Sequence, residues 1–237
     1  SQADSTIAIG TSAGLTQGSS SIAIGLFAGG QGAENVAIGV HAGETNQDLR
    51  AVAIGYYAGN INQEKYTVAI GQNAGKTSQS AGSVAIGENA AETTQGSTAV
   101  AMGSGAGRTR QGGSAVAIGA SSGNNNQGRR TVAVGGNSGR NKQSTDAVSV
   151  GYNCGLTSQG SSAVAIGSDA AFTGQGSKAV AIGNAAGYSG QGASAVAIGA
   201  SAGSTSQAAN SIVINATGLA LDNLVINTCV IKPIRSI

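Results

Sequence analysis

The chain has 237 residues, of which 40 are Gly and one is Pro; Trp is absent, aromatic residues make up 3% and charged residues 9%. An ordinary globular domain is charged at about a quarter of its positions and fills its core with large side chains, so a conventional core is excluded and a thin, regularly stacked interior of Val, Ile and Ala is expected. A net charge of +2 gives no global field for nucleic acid, and the apolar runs are too short for a transmembrane helix.

In chain order, Ser1 is preceded by no charged-then-apolar leader and no initiator Met, so the chain is read as a fragment or processed product whose export signal or anchor would lie outside it. An apolar tetrad then recurs as Ile7-Ala8-Ile9-Gly10, Ile22-Ala23-Ile24-Gly25 and Val36-Ala37-Ile38-Gly39. It starts again at Val52, Val68, Val84, Val100, Val116, Val132, Val148, Val164, Val180, Val196 and Ile212. The first two steps are 15 and 14 residues and every later one is 16. One period reads V-A-I-G-x-x-A-G-x-T-x-Q-G-x-x-A: a β-branched run, a Gly turn, a second run and another Gly turn. Sixteen residues divided by glycines are too few for a helix pair. The pattern predicts an all-β chain, a parallel β-solenoid (β-roll) of about fourteen coils with two short strands per coil over 1–216. At about 4.8 Å per coil the stack would reach about 65 Å. Residues 217–237, with the apolar runs Leu224-Val225-Ile226 and Cys229-Val230-Ile231, are read as a C-terminal cap or neck.

Within the second run, Thr16, Thr45, Thr77, Thr93, Thr109, Thr157, Thr173 and Thr205 are read as one position, with Gln two residues later at Gln47, Gln63, Gln79, Gln95, Gln111, Gln127, Gln143, Gln159, Gln175, Gln191 and Gln207, and directly after Thr16 at Gln17. Strand alternation points both the same way. The intervening and preceding positions hold charged and aromatic residues, so Thr and Gln are expected inside, with Gln47 to Gln207 stacked as a continuous amide ladder. The first run is apolar on both of its faces, which implies that something covers the outer one. Either Ala fills the lumen and the Val/Ile column packs on other copies of the chain, or the assignment is reversed; the remaining alternative is a monomer with a Val/Ile-filled lumen and an exposed Ala column.

The residue inventory offers no catalytic set and no metal or cofactor site. His41, the only histidine, falls in a variable turn without a partner fixed by the repeat and reads as solvated. Cys154 takes a slot elsewhere filled by Ala, and Cys229 in the tail reads as a buried free thiol or an inter-chain staple. No Gly cluster is followed by Lys-Ser/Thr and a helix, the turns lack the regular Asp of calcium-binding β-rolls, and Asn215-Ala216-Thr217 is a lone glycosylation triplet. Arg108, Arg110, Arg129, Arg130, Arg140 and Lys142 fall on three successive coils and make a basic band. It is read as a site for surface polyanions or glycans, or as a solubilising surface. Tyr56, Tyr57, Phe172 and Tyr188 are candidate sugar-stacking platforms that the repeat does not gather.

The S-I-A-I-G and A-V-A-I-G tetrads, each followed by a small residue and Gly, resemble the head repeats of trimeric autotransporter adhesins of the YadA type over about residues 5–216. That resemblance implies a left-handed parallel β-roll, three chains to a head, and binding to a host matrix or cell surface. The 16-residue period and regular Gln depart from the adhesin pattern and are more similar to repeat regions of bacteriophage and large-DNA-virus fibre proteins. The tail from Ser211-Ile-Val-Ile-Asn-Ala-Thr-Gly218 to Ile231-Lys-Pro-Ile-Arg235 resembles the junction that in such viral proteins leads to a self-cleaving chaperone. The expected function is therefore a non-enzymatic structural and adhesive fibre, a homotrimeric shaft or head on a virion or cell surface. Its partners would be itself and a host-surface glycan or protein receptor, with no nucleic acid, no cofactor and no membrane insertion. An autotransporter head, a monomeric ice-binding solenoid and a stacking filament subunit are the other readings.

Overall fold

The computed structural model describes residues 5–234; residues 1–4 of the expected repeat region and Arg235 with the rest of 235–237 lie outside them. The chain forms two compact units, 1–121 and 122–237. Each is a parallel β-solenoid, together about fourteen turns on the 16-residue repeat, and no described residue is helical. No described helix is therefore long and apolar enough to cross a membrane.

In the first unit the V-A-I strands Ile7–Ile9, Ile22–Ile24, Val36–Ile38, Val52–Ile54, Val68–Ile70, Val84–Ile86, Val100–Met102 and Val116–Ile118 stack in parallel in chain order. Equivalent residues align coil on coil, as in Val68↔Val84, Ala69↔Ala85 and Ile70↔Ile86. The T-x-Q strands from Thr45–Gln47 to Thr109–Gln111 form a second parallel sheet. The second unit repeats this from Val132–Val134 to Ile212–Asn215, with T-x-Q strands from Asn125–Gln127 to Thr173–Gln175. The tail adds one more rung there: Cys229–Lys232 pairs in parallel with Ile212–Asn215, and Leu221 bridges Ala202.

Alanine fills the lumen. From the second coil on, the central Ala of the tetrad, the Ala of the A-G pair and the Ala that closes the period are fully buried in both units, while the flanking Val and Ile point out and stay half-exposed, about 39% for Ile118 and Ile166; in the first coil Ala8 is exposed. Of the arrangements the sequence leaves open, the single chain thus has the Ala-filled lumen and the outward Val/Ile column. The largest fully buried side chains are the glutamines, so in this narrow interior an amide does the space-filling that Leu or Phe does in a wider core.

The close stacking depends on the glycine that ends each tetrad. At Gly71 φ is +124°, and a Cβ would sit 2.8 Å from the backbone C and O of Gly87 in the next coil. A side chain there collides with main chain and cannot be relieved by a rotamer change.

Threonine departs from the expectation. Gln47, Gln63, Gln79 and Gln95 are buried, yet Thr45 is exposed and Thr77 and Thr93 are half-exposed. The residue between them is left-handed in each coil from Asn46 onward, φ 54° at Asn46, 58° at Ser78 and 53° at Arg110. Strand alternation assumes extended backbone throughout; a left-handed residue between Thr and Gln rotates one relative to the other, so Gln enters the lumen while Thr stays near the surface.

Candidate functional site

The glutamine amides are stacked, in segments. Gln47 Nε2 donates to Gln63 Oε1 (3.1 Å) and Gln63 Nε2 to Gln79 Oε1 (3.2 Å). Gln95 donates to Gln111, Gln127 to Gln143, and Gln159 to Gln175, Gln191 and Gln207 in succession. Each amide also donates to main chain across the lumen, as Gln79 Nε2 does to Val68 O (2.8 Å) and Ser83 O (3.3 Å). One break has a visible cause: Ser149 replaces the tetrad Ala, its Oγ accepts from Gln143 Nε2 at 3.1 Å, and Gln159 Oε1 is left without a donor. The column ties coils together and exposes nothing to a ligand.

His41 is not the bare solvated residue its turn position suggested. Its ring lies between Phe27 and Tyr57, with centroids 5.3 and 4.6 Å away, and its Nδ1 is 2.9 Å from Glu44 Oε2, which also accepts from Asn60 Nδ2. Tyr56 meets Tyr57 edge-on at 4.4 Å, and Lys76 Nζ lies 5.0 Å from the Tyr57 ring. A hydrogen bond with Tyr56, followed by burial, raises the Tyr57 phenol above its ordinary range. Phe172 and Tyr188 stack at 4.9 Å. The aromatic residues are thus gathered, because Phe27, His41 and Tyr57 hold the same slot of adjacent coils; the 14-residue step between Phe27 and His41 hides this in the sequence.

The thiol of Cys154 is not an activated nucleophile by its surroundings. Cys154 is buried, and desolvation pushes its pKa up to about 12. Cys229, expected buried, is exposed: it aligns with Ile212 in the outward column, not with the lumen. Asn215 is turned inward and spends its amide on Ala200 O and Leu219 O. No group of three His, Cys, Asp or Glu that would hold a metal occurs among the described residues.

The six basic residues divide between the units. Arg108 and Arg110 lie in the first, where Arg108 Nε donates to Glu92 Oε2 at 2.6 Å. Arg129, Arg130, Arg140 and Lys142 lie in the second, all exposed. Arg130 grips Asp146 through both nitrogens, at 2.7 and 2.8 Å, and this hydrogen bonding holds the Asp146 carboxyl below its ordinary range. Among the described residues no carboxylate lies within ion-pair distance of Arg129, Arg140 or Lys142.

Each unit also has a groove between its T-x-Q strands and the following turn, which the repeat pattern did not reveal. In the first unit it holds about 610 Å³ and is lined by Asn46, Asp48, Asn62, Glu64, Ser78 and Ser80 among others. In the second it holds about 620 Å³ and is lined by Asn126, Lys142, Ser144, Thr145, Ser158 and Ser161. The first carries acids in the slot after the ladder glutamine, Asp48 and Glu64, and the second a base in the slot before it, Lys142. Both acids of the first groove are engaged with main chain, Asp48 Oδ1 with Leu49 N and Glu64 Oε2 with Ala81 N. No protein-family model, curated protein or solved structure matches the chain.

Proposed function

We propose that the chain is a non-enzymatic fibre protein that associates as a homotrimer through its Val/Ile column and serves as an adhesive shaft or head on a virion or cell surface. The observation that carries this is the half-exposed Val/Ile column repeated through both units on the outside of an Ala-filled lumen. A stripe of outward β-branched residues is an aggregation liability unless covered. A second copy of the same column is the surface it matches in repeat and chemistry. Covering the remaining surface of one such side chain contributes on the order of 1 kcal/mol, and the column offers this at two positions per coil. The chemistry of the candidate side chains supports a non-catalytic role: His41 is held in a ring stack and Cys154 is a buried thiol.

Substitution on and off the column tests the reading. Ile118→Asp should leave the coil folded, since the side chain lies outside the lumen, but reduce the particle to single chains by light scattering. Ala117→Asp, which places a carboxylate in the lumen, should prevent folding. Retained association of a folded Ile118→Asp protein would contradict the proposal.

The outward placement of Thr gives one observation to a second reading, an ice-binding surface, which inward threonines would have ruled out. Against it, the adjoining slots hold Arg110, Lys142, Arg108 and Arg140 in place of a flat uncharged array. Thermal hysteresis in the purified protein would support that reading, and its absence would dismiss it.

A further inference from the structure

We propose that the basic groove of the second unit binds a linear anionic polysaccharide, with Lys142, Arg140 and Arg129 holding its sulfate or carboxylate groups. The inference rests on the adhesive reading and names the ligand class. Three observations converge on it. The groove is large enough, about 620 Å³, for several sugar residues. Its walls are hydroxyls and an amide, those of Ser144, Thr145, Ser158, Ser161 and Asn126, which suit the hydroxyls of a sugar chain. Lys142 stands in the wall with no carboxylate partner. Its neighbours extend the charge. Arg140, two residues earlier, is also exposed, and Arg129 holds the slot of the groove residue Thr145 one coil away, as the bond from Asp146 N to Arg129 O shows.

Two features select a polysaccharide over other polyanions. No aromatic side chain is among the groove's lining residues, so there is no platform on which a nucleic-acid base would stack. The groove follows a parallel stack with a rise of about 4.8 Å per coil, so its polar positions recur along a line, Asn126, Lys142 and Ser158 in one slot and Thr145 and Ser161 in another, which fits an extended chain. The equivalent groove of the first unit supplies the internal contrast, with Asp48 and Glu64 in its wall.

The test compares full-length protein with a triple variant whose substitutions come from the same slots of other coils: Arg129→Ser as at Ser161, Arg140→Asn as at Asn60, and Lys142→Ser as at Ser158. Calorimetric titration with a heparin hexasaccharide and with hexagalacturonate distinguishes sulfate from carboxylate. Binding of either is expected, weakened by added salt, with at least a tenfold loss in the triple variant and less than a twofold change in Lys178→Ser. Circular dichroism and solution mass should match the parent, which separates a failure here from a failure of the fibre reading. The inference is overturned if neither oligosaccharide binds, if the triple variant binds as the parent does, if Lys178→Ser loses as much, or if a DNA duplex binds as tightly.

Discussion

At the scale of single residues, the unusual element is a core whose bulkiest members are amides. A buried amide is tolerated only when its donors and acceptor are matched. Gln79 meets that condition through Gln63, Val68 O and Ser83 O. Replacing Gln79 by Ala removes volume from a lumen otherwise lined by Ala and takes a donor from Val68 O and Ser83 O and an acceptor from Gln63 Nε2, although Ser83 O keeps Val68 N and Gln63 Nε2 keeps Val52 O. The expected cost is about 2–4 kcal/mol, read from urea unfolding, whereas Arg129→Ser on the surface should change stability by less than about 0.5 kcal/mol. Equal effects would mean that the inward and outward assignments are wrong. The Gln column was legible in the sequence because its 16-residue spacing is unbroken from Gln47. Its segmentation was not, since the break at Gln143 comes from one hydroxyl, that of Ser149, reaching across the lumen.

For the elements, the governing fact is that a coil closes through left-handed residues, many of which are not glycine. Gly71→Ala should disrupt stacking, because the new Cβ would meet Gly87 main chain at 2.8 Å. At Gly82, φ is +68° and the nearest atom is Thr98 Cγ2 at 3.6 Å, so Gly82→Ala should cost only the strain of a left-handed Ala, about 1–2 kcal/mol. Thermal melting of the two variants separates steric from conformational cost; similar losses would contradict the stacking argument. The same backbone explains what sequence reasoning could and could not reach. The tetrad is extended, so its alternation correctly allowed an inward Ala with outward Val and Ile. The T-x-Q run contains left-handed residues such as Arg110 and Lys142 that carry no conformational signature in their type, and alternation therefore placed Thr wrongly. Slot alignment failed to gather Phe27, His41 and Tyr57 for a related reason, the shortened early steps. The grooves arise from the path of the turns in three dimensions, which no spacing rule expresses.

On the scale of the whole molecule, the claim is that this chain is one strand of a larger particle. Its charged residues lie on the outer slots and its lumen is closed to ligands, while its longest apolar feature faces outward in both units. The exposed Cys229 extends that same outward column. Association through the column and recognition through polar grooves would then use different faces of each coil, so the two activities should be separable by mutation. Sedimentation equilibrium of the purified chain at micromolar concentration addresses the claim most directly: a mass of three chains is expected, and a clean single-chain mass would contradict it.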